Sequence, residues 1–149
     1  MLIIYQEDSI ARLSEIVSLN YKIFKSMYKT EPYSFEQYQE KLKNKKPIIY
    51  IAISNKKIIG DAIAFENQGN YYIWILGIKE EFRDKGIASE LLELHELHAK
   101  QQKFKKITIK VYGISQTMLL ILKKRGYQIE KEKKSNNPKF KIYYLGLEL

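Results

Sequence analysis

The sequence predicts one mixed α/β domain, of the α+β kind, built on a central, mostly antiparallel sheet of about seven strands flanked by about four helices. Three observations predict it. The runs 48–54, 57–66 and 70–78 are rich in β-branched and aromatic residues and are parted only by short polar breaks at 54–57 and 66–70, the pattern of an antiparallel meander. Four other stretches repeat their apolar residues at helical spacing. One of these separates the third β run from the next, at 104–111, so those two strands run parallel and are joined by a right-handed crossover.

The elements follow in order. Residues 1–5 read as a short strand. After Glu7-Asp8-Ser9, which supplies candidate caps, Ile10, Leu13, Ile16, Val17, Tyr21 and Phe24 recur at helical spacing to about Met27. The stretch 29–33, with Pro32, breaks the pattern, and Ser34 can cap a shorter helix through Phe35, Tyr38 and Leu42 that stops before Pro47. Beyond the meander the amphipathic run Ser89 to Lys100 marks a helix after the glycine turn, with Ile87, Leu91, Leu94 and His98 on one side and Glu90, Glu93 and Glu96 largely elsewhere. Alternation of Ile107, Ile109 and Val111 with Thr108 and Lys110 marks a strand over 104–111. A helix over 115–124 carries Met118, Leu119, Ile121 and Leu122, ends in three cations and is closed by Gly126. Segments 127–131 and 140–147 form a terminal hairpin around the polar stretch 133–139. No repeat or linker interrupts the 149 residues, a length that suits a single domain.

Cysteine is absent, which excludes disulfides, thiolate metal sites and cysteine nucleophiles. Lysine and arginine outnumber aspartate and glutamate 26 to 17, a net charge of +9, with five lysines and no acid between Lys100 and Lys110. Such a surface attracts polyanions, a phosphorylated cofactor or a nucleic acid. Nucleic-acid binding would need cations interleaved with exposed aromatics, whereas tyrosines such as Tyr143 and Tyr144 fall in strand patterns where they can pack; this reading ranks third. His95 and His98 stand three apart, not four, with no third ligand in view, so an ordinary amphipathic helix accounts for them better than a metal site. No apolar run has the length to cross a bilayer and the N-terminal residues do not read as a signal peptide, so a cytoplasmic protein without a membrane partner is expected. Apolar strand edges near the C-terminus leave room for a homodimer.

The most informative stretch is Arg83-Asp84-Lys85-Gly86-Ile87-Ala88, which follows the apolar run ending at Ile78 and opens a helix. A strand, a tight glycine turn and a helix start leave several N–H groups pointing one way, at the positive end of the helix dipole, where a phosphate fits. The spacing Arg-x-x-Gly-x-Ala and the lead-in Leu76-Gly77-Ile78-Lys79-Glu80-Glu81-Phe82 resemble the acyl-CoA pyrophosphate loop of the GCN5-related N-acetyltransferase (GNAT) family. The element order β, α, α, β, β, β, α, β, α, β, β is similar to that family's fold over nearly the whole chain.

The resemblance implies acetyl-CoA as acyl donor and no metal. It assigns the pyrophosphate to Arg83, Asp84, Lys85, Gly86, Ile87, Ala88 and Ser89, with Gly86 admitting close approach of the backbone and Ala88 standing where a second glycine is usual. It places the pantothenate arm between splayed strands near 72–78 and 104–111, held by backbone groups of Leu76 and Ile78. The family's frequent asparagine is Ser115 here, which could still touch the cofactor, and its usual tyrosine acid is Leu122, which has no proton to give. Tyr112 is then a substitute acid, and Glu66 or a water chain the base that deprotonates the amine. Tyr28, Tyr33, Phe35 and Tyr38 cluster at the first helix break, as aromatic walls of an acceptor pocket or as helix packing. The implied function is direct transfer of an acetyl group to a primary amine of a small molecule or peptide. The alternative is a CoA-binding module with little turnover.

Overall fold

A seven-stranded sheet in the order β1-β2-β3-β4-β5-β7-β6 organises the computed structural model, which describes residues 2–7, 12–28, 31–113, 115–136 and 140–149. The strands are β1 (Leu2–Glu7), β2 (Ile48–Ser54), β3 (Lys57–Asn67), β4 (Asn70–Ile78), β5 (Lys106–Tyr112), β6 (Gln128–Lys134) and β7 (Lys141–Glu148). The helices are α1 (Leu13–Tyr28), α2 (Phe35–Leu42), α3 (Ile87–Gln101) and α4 (Gln116–Lys124), with a 3-10 turn at Glu80–Phe82. All neighbouring strands are antiparallel except β4 and β5. The expected fold class and element order are therefore those observed.

Local chemistry explains the boundaries. Ser34 Oγ accepts from Gln37 N while the Gln37 side chain accepts from Ser34 N, a reciprocal cap that starts α2. At the end of α4, Gly126 adopts φ +96°, and the Tyr127 and Gly126 amides bond the carbonyls of Leu122 and Lys123, which stops the helix. Strand β6 runs three residues beyond expectation, because the polar end of QIEKEKK carries no apolar signal and is held in the sheet by pairing to β7. It is also the edge strand, so the C-terminal edge of the sheet is charged rather than apolar, a pattern that opposes edge-to-edge pairing.

Helices α1 and α2 cover one face of the sheet with a core that includes Leu13, Ile16, Tyr38, Ile51, Ile63 and Phe65. The other face is packed by α3 and α4 on Ala64, Tyr71, Ile73, Ile107, Ile109 and Leu145. Helix α3 buries Ile87, Leu91, Leu92, His95 and Ala99, so His95 rather than His98 faces the sheet. Its Nε2 lies 3.1 Å from the Ala62 carbonyl, which can only accept, so Nδ1 accepts the Tyr71 hydroxyl at 2.6 Å. Burial holds this imidazole neutral, its pKa lowered to about 4. No cluster of metal-ligating side chains occurs among the described residues.

Two features of β4 shape the space beside it. Ile75 pairs with Ile63 and Ile73 with Ala64, so Trp74 is an extra residue, a bulge. Parallel pairing to β5 ends at Ile73 with Ile109, and the two strands part beyond it.

Candidate active site

The parting of β4 from β5 opens a cavity of about 750 Å³, floored by residues 72–78 and walled by Ile109–Tyr112, α4 and the loop before α3. Ladder geometry fixes which backbone groups face it. Lys79 N bonds Ile59 O, and Gly60 stands opposite Ile78, so Gly77 bonds its neighbour Asp61 while the amides and carbonyls of Leu76 and Ile78 point away from β3, into the gap. Arg83 Nε donates to Ile78 O at 3.0 Å. That bond occupies one of these groups and makes Arg83 the clasp that closes the turn.

Beyond the clasp, Asp84 adopts φ +61° and Gly86 φ +80°, the left-handed conformation that favours a residue without Cβ. The first helical backbone bond of α3 is Glu90 N to Gly86 O, and none of the N–H groups from Asp84 to Ser89 bonds a backbone carbonyl. A Cβ on Gly86 would meet nothing within 4 Å, so the backbone there is open to a ligand. These six donors at a helix start, contiguous with the free amide of Leu76, suit a pyrophosphate joined to an extended amide-bearing arm.

Most of the sequence-predicted residues come together here. Leu76, Ile78, Arg83, Asp84, Gly86, Ile87, Ala88, Ser89, Tyr112 and Ser115 all line the cavity. Lys85 does not; its Nζ rests 5.6 Å from the Phe82 ring centre. Glu66 does not either: it sits at the opposite end of β3, where its carboxylate accepts Gly69 N at 3.1 Å and caps the β3–β4 turn. The antiparallel run of β3 forces this, because its C-terminal end lies beside the start of β4 and the cavity beside the end. Leu122 is fully buried against the α3–α4 core and faces away from the cavity, which α4 meets through Thr117, Met118 and Ile121.

At the other end stand the aromatics. The Tyr33 ring stacks on Trp74 at 5.8 Å, Tyr38 lies under Trp74 at 5.0 Å, and Phe140 meets Tyr112 edge-on at 6.0 Å. Tyr72 is raised to about 12, first by burial and then by the nearby phenols of Tyr33, Tyr144 and Tyr112, so these four rings converge. Of the sequence cluster only Tyr33 reaches the cavity; Tyr38 and Phe35 pack in the core, and the Tyr28 side chain lies outside the described part. Glu31 also lines this end, but Lys25 at 2.9 Å and the Tyr21 hydroxyl at 2.8 Å hold its carboxyl below the ordinary range, ionised and occupied. Trp74, Met118, Phe140 and the 133–136 segment carry no local sequence signal; strand register and the closing hairpin bring them in.

Behind the floor, Asn20 of α1 donates Nδ2 to Asp61 Oδ2 at 2.9 Å, both fully buried. Gly77 makes room: a Cβ there would stand 2.9 Å from Asn20 Oδ1. Among the described residues neither Asn20 Oδ1 nor Asp61 Oδ1 has a hydrogen-bond partner. Burial raises Asp61 to about 7, the Asn20 bond opposing it in part.

The sequence model described as "Acetyltransferase (GNAT) family" matches residues 13–127. The chain belongs to this family. Solved structures share the GNAT fold at low identity. The N-acetyltransferase from Staphylococcus aureus Mu50 superposes with a TM-score of 0.81 at 14% identity, covering 99% of this chain and 98% of that one. A GNAT family acetyltransferase from Elizabethkingia anophelis with acetyl-CoA bound gives 0.74 at 20%, covering 99% and 98%. The NatC complex bound to Gag peptide and CoA gives 0.77 at 21%, covering 98% of each. No curated protein matches the sequence. No helix among the described residues of this GNAT chain is long and apolar enough to cross a membrane.

Proposed function

We propose that this chain is an acetyl-CoA-dependent N-acetyltransferase that moves the acetyl group directly to a primary amine of a small molecule or peptide. One observation carries the reading: an unpaired strand edge at Leu76 leads into six consecutive amides, Asp84 to Ser89, that bond no backbone carbonyl. Family membership and the solved neighbours with CoA or acetyl-CoA bound support it.

Bound acetyl-CoA supplies an acetyl group activated as a thioester. The amides of 84–89 bind its pyrophosphate, aided by the α3 dipole, and Leu76 and Ile78 orient its arm. The Leu76 N–H, directed into the gap beside the Trp74 bulge, is a fixed donor for charge developing on the acetyl oxygen. The acceptor nitrogen forms its bond to the acetyl carbon as the carbon–sulfur bond breaks; the amine proton leaves to water, and the Tyr112 hydroxyl protonates the departing sulfur. Water fills the base role because the cavity carboxylate at this end, Glu31, is already held by Lys25 and Tyr21.

Calorimetric titration of acetyl-CoA into wild type and Gly86→Trp, followed by thiol release over an amine panel, tests this. A bulky residue at φ +80° strains the turn and fills the open face of the loop, so an affinity loss of about tenfold or more is expected. Absence of wild-type binding would overturn the reading. Binding without turnover on any amine would favour the CoA-binding module, for which the buried Leu122 argues.

A further inference from the structure

The face of β5, β7 and β6 opposite α4 carries a cationic band that the donor site does not use. Ile107, Ile109, Val111 and Leu145 point into the core beneath α4. Their alternates therefore face the other way, on the side where α1 packs over β3 and β4. Register aligns them in two rows across the strands: Lys110, Tyr144 and Lys131, then Tyr112, Ile142 and Lys133. Lys131 and Lys133 are exposed and the other four half-buried.

Charge on this face is graded. Away from the cavity, Lys106 and Glu130 close an ion pair of 2.6 Å, laid across Gly146, where a Cβ would stand 2.7 Å from either side chain. Toward the cavity, Lys110, Lys131 and Lys133 have no carboxylate partner among the described residues, and Lys110 and Lys133 line the cavity itself. Lys131 lies outside the cavity, so a molecule that meets all three lysines starts inside and runs out along the sheet.

We propose that the acceptor is an acidic peptide segment whose amino end enters between Trp74 and Tyr112 and whose carboxylates lie on Lys110, Lys131 and Lys133. This rests on the N-acetyltransferase reading. Lys110 and Lys131 are two strands apart, about 10 Å, and alternate residues of an extended peptide recur about every 7 Å, a difference within the reach of flexible lysine and glutamate side chains. The band is too short for the run of phosphates that gives nucleic-acid binding its strength, and the Tyr112 and Tyr144 rings each carry a lysine Nζ, at 5.6 and 5.7 Å, where a base would have to stack. Net charge of +9 steers an anionic acceptor to the surface.

The test uses peptides of equal length with a free N-terminal alanine followed by glutamates, by glutamines or by lysines, titrated into the CoA-loaded protein at low and raised salt. The glutamate peptide should bind about tenfold tighter than the glutamine one, an advantage that salt erodes. Lys131→Gln/Lys133→Gln should erase the advantage and Lys131→Arg/Lys133→Arg restore it, with acetyl-CoA titration reporting that each variant is folded. Equal affinity for glutamate and glutamine peptides overturns the proposal, as does an advantage that survives in the glutamine variant. Displacement of the acidic peptide by oligouridylate at equal concentration would assign the band to nucleic acid instead. Failure of acetyl-CoA to bind wild type would sink the N-acetyltransferase reading itself, so the two failures are distinct.

Discussion

Asp61→Asn tests whether the carboxyl behind the cavity floor is protonated in the folded protein. Burial raises its pKa from the ordinary 3.8 to about 7, so the folded chain retains a proton that the unfolded chain releases from about pH 4 upward. A raised carboxyl pKa means that its stabilising contribution is full below the unfolded pKa and is lost as pH rises toward the folded one. A shift of about three units at about 1.4 kcal/mol each amounts to about 4 kcal/mol lost by pH 7. Asparagine keeps the shape and cannot ionise. The variant should therefore match wild type near pH 4 and exceed it by about 4 kcal/mol at pH 8, near 10 °C in Tm.

His95 sharpens the test, because its sign is opposite. Its pKa is lowered from 6.5 to about 4, so its contribution is complete above pH 6.5 and is lost by about 3 kcal/mol as pH falls to 4. Between pH 4 and 6.5 the two slopes oppose each other in wild type. Asp61→Asn should expose the His95 slope, with stability climbing more steeply through that window than in wild type, where the Asp61 contribution offsets it. Urea unfolding followed by tryptophan fluorescence, with Trp74 as the chain's one tryptophan, measures both curves. Parallel curves at every pH, or a variant weaker than wild type at pH 8, would refute a protonated Asp61.

Three further outcomes follow from the site. Lys85→Ala should weaken acetyl-CoA binding far less than Gly86→Trp, since Lys85 rests on Phe82 outside the cavity; equal losses by calorimetry would count against a backbone-built phosphate site. Tyr112→Phe should lower kcat about 100-fold with acetyl-CoA affinity retained, read from steady-state kinetics beside calorimetry. Leu122→Tyr, which installs the family's usual acid, should destabilise by about 1–3 kcal/mol through overpacking and give no rate gain, because position 122 faces the core; thermal unfolding and thiol release check the two halves.

The geometry of the proposed donor loop was legible because backbone chemistry writes it locally. A turn that needs Gly86 in the left-handed region and a helix that needs free amides to start it both lie within a few residues of sequence. The acceptor half was not. Trp74 becomes a bulge only through the register of β3 against β4, and Glu66 falls at the wrong end once that pairing is known. His98 gave way to His95 because the buried stripe of α3 takes in Leu92 and Ala99 as well as Ile87 and Leu91, which centres it on His95. Tyr144 read as a residue that can pack within a strand pattern, but which face α4 covers is a tertiary fact, and it places Tyr144 on the opposite face beside Lys110 and Lys131.

The buried Asn20–Asp61 pair belongs to the same logic. A strand inside a sheet is held from both sides, but β4 beyond Ile73 has only β3, because the gap that admits a ligand has replaced β5. Leu76 and Ile78 must nonetheless stand still for their amides to serve as the fixed donors proposed above. Gly77 lies between them, pairs with Asp61 and lets Asn20 of α1 come down onto the strand. Helix α1 thus supplies from above the restraint that β5 withholds from the side, through a polar bond that fixes one register where apolar contacts alone would tolerate sliding. The buried Asn20–Asp61 bond is thereby the restraint that lets this strand edge be both open and rigid.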